Sequence, residues 1–149
     1  MNHGTGLFLA PLAIVVALSL PAAAQSVKDV NAQIEKLLGD ADGFASEFKI
    51  LQANIGDGAR MAAEVEEYPI TITVDGKDVS FASEADFVAG YGALMTPKVI
   101  AAVKQQNYKD LLVTAKGVMF GRGELWMNAY CLDGENCDGI SWEISAINR

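Results

Sequence analysis

Glu124, Trp126, Asn128 and Tyr130 stand at every second position of the segment from Glu124 to Cys131. On a β-strand that spacing turns all four side chains to one face. A carboxylate and an amide set among aromatic rings can hold a small ligand. The same set is what a carboxylate- or tyrosine-dependent isomerase, dehydratase or hydrolase would use to move a proton. Cys131 and Cys137 enclose the turn-rich stretch Leu132-Asp133-Gly134-Glu135-Asn136, and a disulfide between them is predicted. A loop this short gains only roughly 2 kcal/mol in the chain-entropy account. Bridged cysteines have Cα atoms about 5.5 Å apart. If they face each other on neighbouring antiparallel strands, the extended register sets Trp126 opposite Trp142, Asn128 opposite Ile140 and Glu124 opposite Ile144. The candidate binding residues are therefore Glu124, Trp126, Asn128, Tyr130 and Trp142, and no residue is assigned a catalytic role. The other reading of this face is ordinary core or dimer packing, with Glu124 paired to Arg122 or at a rim. The state of Glu124 separates the two: a strongly raised pKa in a water-excluding cavity favours chemistry, and a simple ion pair favours a binding protein.

Other chemistries lack their residues. The single histidine, His3, lies in the apolar leader. The chain beyond the leader has no histidine for a nucleophile system, a metal cluster or acid–base work near neutrality. Two thiolates fall short of a closed zinc site. Asp40-Ala41-Asp42-Gly43 glances at a calcium loop but lacks the further oxygen ligands and the distal glutamate, so it reads as a connecting turn. No metal and no cofactor are predicted.

The elements that must position these residues are set by periodicity. Ser26 with Asp29 makes a capping box, and Val27, Val30, Ile34, Leu37 and Leu38 fall at helical spacing before Gly39, giving a helix over about 27–38. Phe44, Phe48, Leu51 and Ile55 form a second helical face, and Met61 with Val65 marks a third helical piece ending before Pro69. The period then becomes two. Ile70, Ile72 and Val74 lead to the turn Asp75-Gly76 and on to Val79 and Phe81, a hairpin with Ile72 opposite Val79 and Ile70 opposite Phe81. Ser83 caps a helix carrying Phe87, Val88, Tyr91 and Leu94, and Thr96-Pro97 starts another. Four strands come next, over about 111–115, 117–121, 124–131 and 139–147. Helices, a hairpin, further helices and then an antiparallel curved sheet make an α+β fold, a single cone-like domain. Leu125, Met127 and Ala129 alternate with the candidate site residues, so they form a second apolar stripe. A homodimer through the outer sheet face is expected on that stripe.

Residues 7–20 are almost wholly apolar and run through Pro21-Ala22-Ala23-Ala24 to Gln25-Ser26. Small residues at Ala22 and Ala24 fit a signal-peptidase cut before Gln25. An uncleaved membrane anchor is the competing reading, because the stretch approaches the ~18 apolar residues of a spanning helix. The expectation is a signal peptide over 1–24 and one domain over 25–149, periplasmic or secreted, with no membrane contact after cleavage. All 11 basic and all 19 acidic residues lie beyond position 24, so that domain carries the net charge of -8. Nucleic acid is thereby excluded as a partner. An apolar small molecule or a basic protein fits better.

The order of elements resembles the nuclear-transport-factor-two-like superfamily, which is grouped with cystatin-like folds. Tyr68-Pro69-Ile70, Phe87 to Tyr91, Thr96-Pro97, Gly117-Val118-Met119-Phe120-Gly121 and Gly123-Glu124-Leu125-Trp126 are similar to a group of small exported bacterial proteins of unknown function. The resemblance spans about residues 44–147 and implies a cone-shaped α+β fold and an exported compartment. Enzymes of the superfamily commonly use Asp, Tyr or His inside the cone, and no Asp or Tyr here aligns to those catalytic positions.

Overall fold

The computed structural model describes residues 25–133, 137 and 139–149. The leader expected over residues 1–24 and the loop tip at 134–136 lie outside the described residues.

Local signals set the helices. Helix α1 (Val27–Leu38) opens on the expected capping box: the Asp29 N–H donates to Ser26 Oγ at 3.2 Å, and the Ser26 N–H donates back to Asp29 Oδ2 at 2.9 Å. It stops at Gly39, whose φ of 88° is the left-handed conformation that favours glycine at a helix end. Helix α2 (Ala41–Asn54) is capped by Asp40 and buries Ala41, Phe44, Phe48 and Leu51. Helix α3 (Gly58–Ala63) is shorter than its periodicity predicts and leaves Val65 outside. Helix α4 (Glu84–Leu94) starts at the Ser83 cap, and α5 (Pro97–Gln105) starts with proline in its first turn after Thr96.

Strands β1 (Ile70–Val74) and β2 (Lys77–Phe81) pair in the expected register, Ile72 with Val79 and Ile70 with Phe81. Asp75 and Gly76 both take positive φ at the turn, as a two-residue hairpin loop requires. Strands β3 (Leu112–Thr114), β4 (Gly117–Phe120), β5 (Leu125–Cys131) and β6 (Ile140–Ile147) make an antiparallel meander. The hairpin joins it through a parallel pairing of β1 with β6, Thr73 beside Ala146 and Val74 beside Ile147. The result is one unclosed, curved, mixed sheet in the order β2-β1-β6-β5-β4-β3, and not the purely antiparallel sheet that the strand run alone implies.

One continuous hydrophobic core joins the helices to the inner sheet face. Its centre is aromatic. The Phe44 ring lies edge-on to Trp142 with centroids 4.8 Å apart, and Phe48 stacks on Phe120 at 5.7 Å. Pairs of this kind add about 0.5–1.5 kcal/mol each beyond their area burial. The Tyr91 hydroxyl donates to the Ile55 carbonyl at 2.7 Å, which ties α4 to the end of α2.

Candidate functional site

The disulfide forms as expected, with Cα atoms of Cys131 and Cys137 4.8 Å apart. The register extrapolated from it does not. Cys131 stands opposite Ile140, Ala129 opposite Trp142 and Met127 opposite Ile144. Cys137 is outside the ladder, at a φ of 56°. A curled loop brings two Cα atoms to bridging distance as well as a cross-strand pair does, so the bond closes the loop without dictating the pairing. The offset from the expected register is three residues. An odd offset reverses the face of every partner. Beyond Met127 a bulge adds one residue, Ser145, and Trp126 then pairs with Ala146 and Leu125 with Ile147.

The expected site is therefore divided between two faces. Trp142, 8% exposed, points into the core with Leu125 (0%) and Met127 (3%). Trp126, Asn128 and Tyr130 point outward. The Asn128 side chain is satisfied locally, its Oδ1 accepting from the Ala129 N–H at 3.0 Å. Tyr130 is 43% exposed, and partial burial followed by the charge of Glu143 raises its pKa. Glu124 lies at neither place: its carboxylate folds back on the turn before β5, where it accepts from the Arg122 N–H and lies 3.5 Å from Lys98 Nζ. The Arg122 N–H, helped by Lys98, holds its pKa below the usual glutamate value. This is the ion-pair outcome, with Lys98 as the partner and not Arg122's guanidinium. The stripe Leu125, Met127 and Ala129, expected to be spare, faces the core, and the homodimer loses the residues it rested on. The outer face carries a different apolar row across four strands, in which Ala146, Trp126, Met119 and Leu112 are successive ladder neighbours.

Of the five predicted site residues, Trp142 alone lines the concave site. That site is a cavity of about 200 Å³ enclosed by α2, α3, the segment after α3 and the inner face of β1, β5 and β6. Its buried floor is Leu51, Met61, Ile72, Phe87, Met127 and Trp142. Its rim is acidic, with Glu47 partly buried and Glu64, Glu66 and Glu67 exposed. A second, more polar recess of about 170 Å³ lies alongside and includes Asp40, Ser46 and Ser141. Glu47, Glu64, Glu66, Ser141 and Trp142 line both.

Trp142 is held across the boundary. Its indole N–H donates to Asp40 Oδ2 at 3.2 Å, while Asp40 Oδ1 accepts from the Gly43 N–H at 2.9 Å. One carboxylate thus caps α2 and orients the indole on β6. Burial raises the Glu47 carboxyl above the usual range, and the charges of Glu64 and Glu66 add to the effect. No rim glutamate forms a salt bridge among the described residues. Glu64 accepts from Asn54 Nδ2 at 3.3 Å.

The chain matches no family model, no curated protein and no solved structure.

The rim is absent from the expectations drawn from the sequence, yet the sequence holds one signal for it. Glu47 lies three residues after Phe44 and four before Leu51, on the helix face that Phe44, Phe48 and Leu51 define as buried. A carboxylate on such a face is placed either for an ion pair or for a ligand. Glu64, Glu66 and Glu67 fall between a helix end and a strand start, where a charge run looks like ordinary solvated chain.

Proposed function

We propose that this chain is an exported, periplasmic-type binding domain whose role is to hold a small molecule in the cavity between α2, α3 and the inner sheet face. The observation that carries this reading is the cavity itself: an apolar, aromatic floor beneath a polar rim, the usual build of a small-molecule site. The lysine-paired Glu124 is unsuited to proton transfer, and Glu47 favours the second reading. Its raised pKa inside a cavity is the property of a general acid or base in an isomerase, dehydratase or hydrolase.

Export rests on the apolar leader ending at Ala24 and on the Cys131–Cys137 bridge, since disulfides persist in oxidising compartments. Among the described residues no helix is long and apolar enough to cross a membrane. The likeness to exported proteins of the nuclear-transport-factor-two-like superfamily points the same way. Self-association through the outer face stays part of the proposal on the row Leu112, Met119, Trp126 and Ala146, and sedimentation showing only monomer at micromolar concentration removes it.

Native mass spectrometry of the protein recovered from the periplasm tests the central reading. A bound small molecule is expected in the wild type and absent from Val65→Trp, which fills the cavity from its edge. A ligand-free protein whose indole emission ignores a panel of apolar amines, alcohols and acids refutes it. Turnover that Glu47→Gln abolishes without loss of binding would establish the second reading.

A further inference from the structure

We infer that the ligand is a small cationic amphiphile, a compact apolar body bearing a protonated amine. The inference deepens the proposed binding role and rests on it. Three observations combine to give the class.

The first is the pairing of two compartments. The larger has a floor of Leu51, Phe87, Met127 and Trp142, and the smaller adds Asp40 and Ser46. Trp142, Ser141, Glu47, Glu64 and Glu66 are common to both, so a molecule lying across the boundary would rest its body on the indole and place its head among three carboxylates. At about 200 Å³ the apolar part is smaller than the roughly 300–1,000 Å³ of drug-sized sites. An arylalkyl group fits such a space better than a long acyl chain.

The second observation is the sign of the charge. Both linings contain carboxylates and neither contains a lysine or an arginine. An anionic head would be repelled, and a neutral head would leave the mutual repulsion of Glu47, Glu64 and Glu66 in place. Burial raises the Glu47 carboxyl, and the charges of Glu64 and Glu66 raise it further. An ammonium group relieves that repulsion and gains charge-assisted hydrogen bonds at a site partly screened from water.

The third concerns the kind of cation. No three acidic, cysteine or histidine side chains among the described residues converge closely enough to ligate a metal ion. Carboxylates spread around an apolar mouth suit an organic cation, whose charge needs no inner coordination sphere and whose carbon skeleton uses the floor. Cation–π attraction from the Trp142 ring acts in the same direction.

The test uses three probes with one apolar body: phenylbutylamine, phenylbutanol and phenylbutyrate. Binding is read by calorimetry, and by Trp142 emission in a Trp126→Phe background so that one indole reports. The amine is expected to bind at least tenfold more tightly than the alcohol at about 20 mM salt. The gap should shrink several-fold at about 0.5 M salt, where screening acts within a few ångströms. The double substitution Glu47→Gln with Glu66→Gln should remove the preference, so that amine and alcohol bind that variant within about twofold of each other. Equal binding of all three probes, or tightest binding of phenylbutyrate, overturns the cationic class while the binding site survives. An amine preference untouched by the double substitution overturns the placement of the head. Failure of every probe to bind, with the variant and wild type equally folded by circular dichroism, overturns the class and the proposed binding role together.

Discussion

Replacing Trp142 with phenylalanine tests the face assignment on which the cavity depends. The substitution keeps an aromatic ring near Phe44 and removes the donor to Asp40 at 3.2 Å. A hydrogen bond to a charged group contributes about 1.5–3 kcal/mol. Asp40 is half-buried and keeps its bond to the Gly43 N–H, so a value below that range, about 1 kcal/mol, applies. Loss of the second indole ring exposes or vacates on the order of 40 Å² of apolar surface, about 1 kcal/mol more. The sum is about 2 kcal/mol, a fall of roughly 8 °C in Tm for a domain of this size. Urea unfolding followed by far-ultraviolet circular dichroism measures it. Trp126→Phe, on the outer face, should cost under about 1 kcal/mol. In a double-mutant cycle with Asp40→Ala, about 1 kcal/mol of the Trp142 effect should disappear. The reasoning fails if Trp126→Phe is the more damaging change, or if the Trp142 and Asp40 substitutions are additive.

Three further outcomes are expected. Tyr91→Phe leaves the Ile55 carbonyl without its 2.7 Å donor and should cost about 1–2 kcal/mol in urea unfolding. Glu47→Gln should raise stability at pH 7. The folded-state pKa of Glu47 is raised, so wild-type stability is lost as pH rises from the ordinary glutamate range through that raised value, and the variant escapes the loss. The gain should be under about 1 kcal/mol after allowance for solvent screening, and it should vanish in thermal melts below the ordinary glutamate range, where the carboxyl is protonated in both states. Cys131→Ser with Cys137→Ser should lower stability by about 2 kcal/mol or less, while hydrogen exchange in β1, β2 and β4 should stay as in the wild type.

Where a feature is decided by neighbours in the chain, the residues announce it. The Ser26 and Asp29 pair marks the start of α1 to the residue, and Asp75-Gly76 marks the hairpin with its register, because a two-residue turn leaves little freedom in the pairing of its strands. The β5–β6 pairing shows the opposite case. Two signals compete there, and the covalent one points to the wrong register. Ile140, Trp142 and Ile144 alternate with Ser141, Glu143 and Ser145, and Leu125, Met127 and Ala129 alternate with Trp126, Asn128 and Tyr130. Aligning the aliphatic faces of those two segments excludes the register that the cysteines suggest and requires an odd offset from it, as observed, since burying a face is worth more than the geometry of a short loop. The parallel contact of β1 with β6 is not legible at all, because nothing near Thr73 encodes a partner more than seventy positions later. The cavity lining shares that difficulty: Glu47, Glu64 and Trp142 come together only when α2, the segment after α3 and β6 are assembled.

The central position of β6 affects how the molecule is made. It is the last strand in the described order, yet it sits between the early hairpin and β5. Until it is in place the first two strands pair only with each other, and a two-stranded sheet is marginal in water. Completion of the sheet must therefore wait for synthesis to deliver Ile140–Ile147, and shortening the chain into that strand would cut the backbone pairing between the hairpin and the β3–β5 meander. A late-arriving central strand keeps the sheet in two halves until that segment has emerged.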